Sequence, residues 1–156
     1  MAKKPDGYIE LKFGPRWRYI APARGFIQSF VAIAIEDQNK ADGIAMAASE
    51  LLENAVKYAK GEETGIVVQA FPEQNLISCA VTNQGDAESA KELQGLYKRI
   101  MSGDALEAYI TQMREAAVRQ DGKSQLGLAR IRYEVGANIK LEITPDYKIT
   151  ITIEVR

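Results

Sequence analysis

Glu50-Leu51-Leu52-Glu53-Asn54-Ala55-Val56-Lys57-Tyr58-Ala59 places a carboxylate and a carboxamide four residues apart beside an apolar stripe. On a helix, residues four apart lie on one face. At about 100° per residue, Ile44, Ala48, Leu51 and Ala55 cluster on one flank, and Glu50, Asn54 and Lys57 form a narrow polar stripe next to it. A carboxylate, an amide oxygen able to hold a metal and an ammonium thus share one edge of a buried helix. Mg-nucleotide chemistry needs this grouping: an oxygen ligand for a hard cation, a base for a water or hydroxyl, and a cation for phosphate. The bland alternative is an amphipathic core helix whose polar residues face water.

Outward from this run, the site helix is expected to start near Asn39 or Asp42 and to stop at Gly61, with Lys57 and Lys60 complementing its C-terminus. Before it, residues 8–13 alternate with period two and close on Gly14-Pro15, which predicts a short strand. The stretch after Pro22, with Phe26, Phe30, Ile33 and Ile35, predicts a first helix. After the site helix, residues 65–71 and 76–81 flank the turn Pro72-Glu73-Gln74-Asn75, and residues 139–143 and 148–155 flank Thr144-Pro145-Asp146-Tyr147. Each pair predicts an antiparallel hairpin, the first at the centre of a sheet and the second with one wet face. Residues 87–124 carry two helical patterns broken near Ser102-Gly103-Asp104, and residues 125–135 predict a last helix. The expected fold is α+β, a two-layer α/β sandwich in which a mostly antiparallel mixed sheet has its helices on one face. Residues 1–156 form one domain in this reading, with 87–124 as a helical lid.

The chain has 156 residues, 46% hydrophobic and 26% charged, which suits a single domain with a proper core. A net charge of −1 gives no overall footprint for nucleic acid, so none is expected as a direct partner. Neither a signal-peptide core nor an apolar stretch near the ~20 residues of a membrane span occurs, and a soluble, cytoplasmic protein is expected. The absence of histidine excludes histidine-based triads, histidine zinc sites and phosphorylation on its own histidine. The single cysteine, Cys79, lies in an apolar run and reads as a buried structural thiol. Arg16, Trp17 and Arg18 read as a packed tryptophan with snorkelling arginines, a cationic and aromatic contact surface being the alternative.

The run from Glu50 resembles the N-box of the Bergerat-fold (GHKL, histidine-kinase-like) ATPases, which include sensor kinases, gyrase-type and chaperone ATPases and the anti-sigma-factor serine kinases. The family's next element, an Asp-x-Gly-x-Gly loop at a strand end, has its counterpart in Val81-Thr82-Asn83-Gln84-Gly85-Asp86. Asn83 stands where the adenine-binding aspartate is expected and keeps an acceptor oxygen, though a neutral one. Gly85 matches the loop glycine; an ordinary turn with Asn and Gly at its corners is the plain alternative. A second glycine box is matched by residues 122–131, with Gly127 and Leu128 retained and Gln125 replacing a glycine. Lys123 and Ser124 fall where the anti-sigma kinases carry a basic and a small residue beside the phosphates, and a helix N-cap at Ser124 fits equally well.

The resemblance implies ATP and Mg²⁺ as cofactors, with Glu50 as general base, Asn54 as the Mg²⁺ ligand and Lys57 as a phosphate contact. Size and the short leading strand are closest to the anti-sigma-factor serine kinases. That branch implies a serine/threonine kinase in a partner-switching module, acting in signal transduction and transcription regulation, whose partner is a small anti-anti-sigma-like (STAS) protein or a sigma factor. A second copy of the chain is another admissible partner. The alternative is a non-catalytic regulatory module on the same fold, with Asn83, Gln125 and the helical lid marking a site that no longer turns over ATP.

Overall fold

Alternation of apolar and polar residues over Gly7–Phe13 forms β1, and Asp37 opens the longest helix by accepting the Lys40 amide hydrogen at 3.1 Å. In the computed structural model, which describes residues 4–118 and 126–156, the order is β1, α1 (Ile20–Ile35), α2 (Gln38–Tyr58), β2 (Thr64–Phe71), β3 (Leu76–Gln84), α3 (Ala87–Met101), α4 (Ala105–Val118), α5 (Leu126–Arg130), β4 (Asn138–Ile143) and β5 (Lys148–Val155). The last expected helix is thus an α-turn running on into a π-helical turn, Ile131–Val135. Two residues of the expected site, Lys123 and Ser124, lie outside the described residues.

The five strands form one sheet in the order β1-β2-β3-β5-β4, antiparallel at every pairing. The chain enters the far edge with β4 and turns back so that β5 fits beside β3. The like-directed strands β3 and β4 therefore never touch. One face of the sheet is buried: Ile66, Val68, Ile77, Cys79, Val81, Ile151 and Ile153 all point into the core under the helices. This two-layer α/β arrangement is the one expected. No described helix is long and apolar enough to cross a membrane.

Cys79 lies between Val68 and Ile153 in this layer, and burial pushes its thiol up to about 12. Helix α3 belongs to the same core. Leu93, Leu96 and Ile100 are buried in it, and the Tyr97 hydroxyl donates to the Ile139 carbonyl at 2.9 Å. Arg132 caps the C-terminal end of α3 by donating to the carbonyls of Ile100 and Gly103. Outside α3 lies α4, anchored by Ala108, Gln112 and a Tyr109–Tyr133 stack at 5.3 Å. On α1 the buried face is Ile20, Ala23, Ile27 and Val31, which leaves Phe26 and Ile33 outside. Trp17 is 56% exposed rather than packed, because its short 3₁₀ turn buries none of its residues.

Candidate functional site

Helix α2 buries Ile44, Ala48, Leu51 and Ala55 as its periodicity requires, and it sets Glu50, Asn54 and Lys57 along the edge of that face. Its C-terminal end reaches the end of β3, where the Lys60 amide donates to the Gln84 carbonyl at 2.8 Å. From Glu50 to its last residue, Tyr58, the helix rises about 12 Å. The edge of α2 therefore runs from the glycine of α5 at one end to the Asn83–Gly85 loop at the other.

At the first end, Glu50 is half-buried, and the Arg130 guanidinium lies 3.6 Å from its carboxylate while also binding Glu134 at 2.9 Å. Gly127 sits directly over the same carboxylate, so a side chain at 127 would collide with Glu50 Oε2. Burial, and next the neighbouring Glu53 charge, raise the Glu50 carboxyl above its ordinary range, against the opposing pull of Arg130 and Lys57. A raised carboxyl pKa means that the folded state binds this proton more tightly than the unfolded chain does. Its contribution to stability is present at low pH and is lost as pH rises through the raised value. Glu50→Gln is therefore expected to stabilise the protein at neutral pH, with the gain shrinking below the ordinary carboxyl range. Urea unfolding of both proteins across that range checks it; a gain that grows on acidification would contradict it.

Asn54, in the middle, is 7% exposed, and its Nδ2 has no hydrogen-bond partner. Among the described residues the other buried side-chain polar atoms in this condition are Ser49 Oγ, on the same helix, and Thr64 Oγ1. Thr64 pairs across the strands with Asn83, which is itself buried on the helix side of the sheet. A buried polar atom without a partner costs about 1–3 kcal/mol, and native proteins keep few of them. The three orphans all lie on α2 or opposite Asn83. Turning the Asn54 amide about its last bond places an oxygen where the unpartnered nitrogen stands.

At the far end, Asn83 makes one long contact, 3.5 Å from its Nδ2 to the Gln84 carbonyl. Gly85 is enclosed: a side-chain carbon there would stand 2.5 Å from Ile149 Cδ1 and 2.6 Å from Ser89 Oγ. Asp86 opens α3 with a reciprocal capping box, Ser89 N to Asp86 Oδ1 at 2.8 Å and Asp86 N to Ser89 Oγ at 2.9 Å.

Glu50 and Gly127 are thus in contact, Asn54 lies on the same helix edge one turn on from Glu50, and Lys57 is near enough to act on the Glu50 charge. Asn83 and Gly85 belong to the strand end against which α2 stops. Sequence reasoning missed Arg130, Glu134 and Thr64. The Arg130–Glu134 spacing of four was a readable signal for an ion pair, whereas Thr64 becomes visible only through the strand register. In kind, the residues suit a Mg-nucleotide: a half-buried carboxylate, an orphaned carboxamide, a lysine and a buried acceptor opposite an orphaned hydroxyl. The two glycines differ from that use, since their open sides are already taken by the chain's own atoms.

A chain of the SiaB–SiaC complex from Pseudomonas aeruginosa, known from its crystal structure, matches this fold with a TM-score of 0.65 at 17% identity, covering 94% of this chain and 88% of that one. At that identity the likeness is one of fold. It extends over nearly the whole length of both chains, and the solved molecule is one component of a protein–protein complex. No family model matches the sequence, and no curated protein does.

Proposed function

We propose that the chain is an ATP- and Mg²⁺-binding regulatory protein of the GHKL type, working as a serine/threonine kinase on a small partner protein in a partner-switching module. The observation that carries this reading is the orphaned carboxamide of Asn54, buried one helical turn from a carboxylate whose pKa is raised. The match to a chain of a two-protein complex supports a protein partner for this fold.

Glu50 takes the proton of the attacking serine or threonine hydroxyl, and its raised pKa makes it a stronger base than an exposed carboxylate. Asn54 would supply the hard oxygen ligand, Lys57 a positive charge for the phosphates and Asn83 with the Gly85 loop the adenine contact; Lys123 and Ser124, outside the described residues, are the further phosphate contacts that the family resemblance implies. When bound, Mg-ATP supplies the phosphoryl group and the charge neutralisation that phosphoryl transfer requires. Arg130 holds the Glu50 carboxylate in place until a hydroxyl arrives.

A second reading, a regulatory module without turnover, is favoured by one feature: Gly127 and Arg130 already cover Glu50, and Ile149 and Ser89 already fill the space at Gly85. Incubation with γ-labelled Mg-ATP and a panel of purified STAS-domain proteins separates the two. The kinase reading expects label on a serine or threonine of one of them, lost with Glu50→Gln. Absence of label, with ATP consumption no greater than in the Glu50→Gln control, would favour the module without turnover.

A further inference from the structure

Asn83 and Thr64 face each other across β3 and β2, 6% and 1% exposed, on the side of the sheet that carries the helices. Opposed residues of an antiparallel pair stand with their Cβ atoms about 5 Å apart, so the carboxamide and the hydroxyl share one spot. Their neighbours on the same face, Ile66 of β2, Val81 of β3 and Ile149 of β5, are apolar and buried. Thr64 Oγ1 has no hydrogen-bond partner among the described residues, and the Asn83 amide has its 3.5 Å contact with the Gln84 carbonyl. A contact that long does not fix which way the amide points. Two side chains that can each donate or accept are thus held in an otherwise apolar patch of sheet, with most of their hydrogen-bonding capacity unused.

We infer that Asn83 and Thr64 leave the site without a preference between 6-amino- and 6-oxopurine nucleoside triphosphates. The inference rests on the nucleotide reading above, which puts the purine at this end of α2. Along its hydrogen-bonding edge a 6-aminopurine presents N6–H as donor and N1 as acceptor. A 6-oxopurine, as in guanine or hypoxanthine, reverses both, with O6 as acceptor and N1–H as donor. A carboxamide meets either edge with two hydrogen bonds, because a half-turn about its last bond exchanges its oxygen and its N–H. The threonine hydroxyl likewise donates or accepts as the base requires. An ionised carboxylate at residue 83 would only accept, and would therefore suit the 6-amino group and repel O6. Strong discrimination needs a buried polar group that the wrong base leaves unpaired, and neither Asn83 nor Thr64 is such a group.

The test is calorimetric titration of the full chain with ATP and with inosine triphosphate, each with Mg²⁺, since the two differ only along the edge formed by the 6-substituent and N1. Dissociation constants within about tenfold of each other are expected, against the roughly 10- to 100-fold gap that one unpaired buried group opens. Asn83→Asp should keep ATP and weaken inosine triphosphate by about tenfold or more relative to it. Thr64→Val, which keeps the shape of the side chain, should weaken both nucleotides to a similar degree. A gap of more than about tenfold in the wild type, in either direction, would overturn the inference and leave the nucleotide reading standing. So would a ratio unchanged in folded Asn83→Asp. Failure of both nucleotides to bind the folded wild type would instead overturn the nucleotide reading, and this inference with it.

Discussion

Leu96→Ala is expected to destabilise the protein by about 2–5 kcal/mol, the range for a large-to-small change in a packed core. Leu96 is 1% exposed and lies in the same cluster as Leu93, Ile100, Ile139 and Ile153. A loss of that size would show that α3 is part of the load of the core, fixed by the Tyr97–Ile139 hydrogen bond and by the Arg132 cap as well as by burial. Met113 on α4, which is 42% exposed, is the control, and Met113→Ala should cost far less. Chemical denaturation measures both. A Leu96→Ala cost below about 1 kcal/mol would mean that α3 lifts away from the sheet as a unit, as a lid does.

Asn54→Leu is expected to raise the stability of the ligand-free protein by about 1–2 kcal/mol and to abolish its stabilisation by Mg-ATP. The first half follows from the orphaned Nδ2: a leucine of similar volume removes a buried polar atom that has no partner. The second half follows from the oxygen that the substitution takes away. A ligand present at 100 times its dissociation constant adds about 2.7 kcal/mol to the folded state, so the wild type and the variant should exchange rank when Mg-ATP is added. Thermal unfolding with and without Mg-ATP reads both halves. Were Asn54→Leu to destabilise the apo protein instead, the carboxamide would be a structural hydrogen-bonding group, and the case for a ligand at this position would fall.

Periodicity made most of the architecture legible. The alternation around β1 and in the two hairpins placed every strand within three residues of its observed ends, and the break at Ser102-Gly103-Asp104 separated α3 from α4. The π-helical turn at Ile131–Val135 was not legible, since a continuous apolar pattern looks the same whether the backbone bonds span four residues or five. Nor could α1 be oriented from its sequence. The helix has apolar residues on more than one face, and Ile20, Ala23, Ile27 and Val31 are the ones buried, not Phe26 and Ile33.

At the site, the shared edge of Glu50 and Asn54 followed from their spacing alone. What the sequence could not convey was that Gly127 and Gly85 are occupied by Glu50, Ile149 and Ser89, because close approach between distant segments leaves no local pattern. The same holds for Thr64, whose hydroxyl matters only because the strand register sets it opposite Asn83.

The most direct measurement is calorimetric titration of the purified chain with ATP in the presence of Mg²⁺, alongside the folded Asn54→Leu variant. Saturable binding to the wild type that depends on Mg²⁺ and disappears in the variant is expected. Absence of binding to the folded wild type, or binding undiminished in the variant, would refute a Mg-nucleotide site on α2.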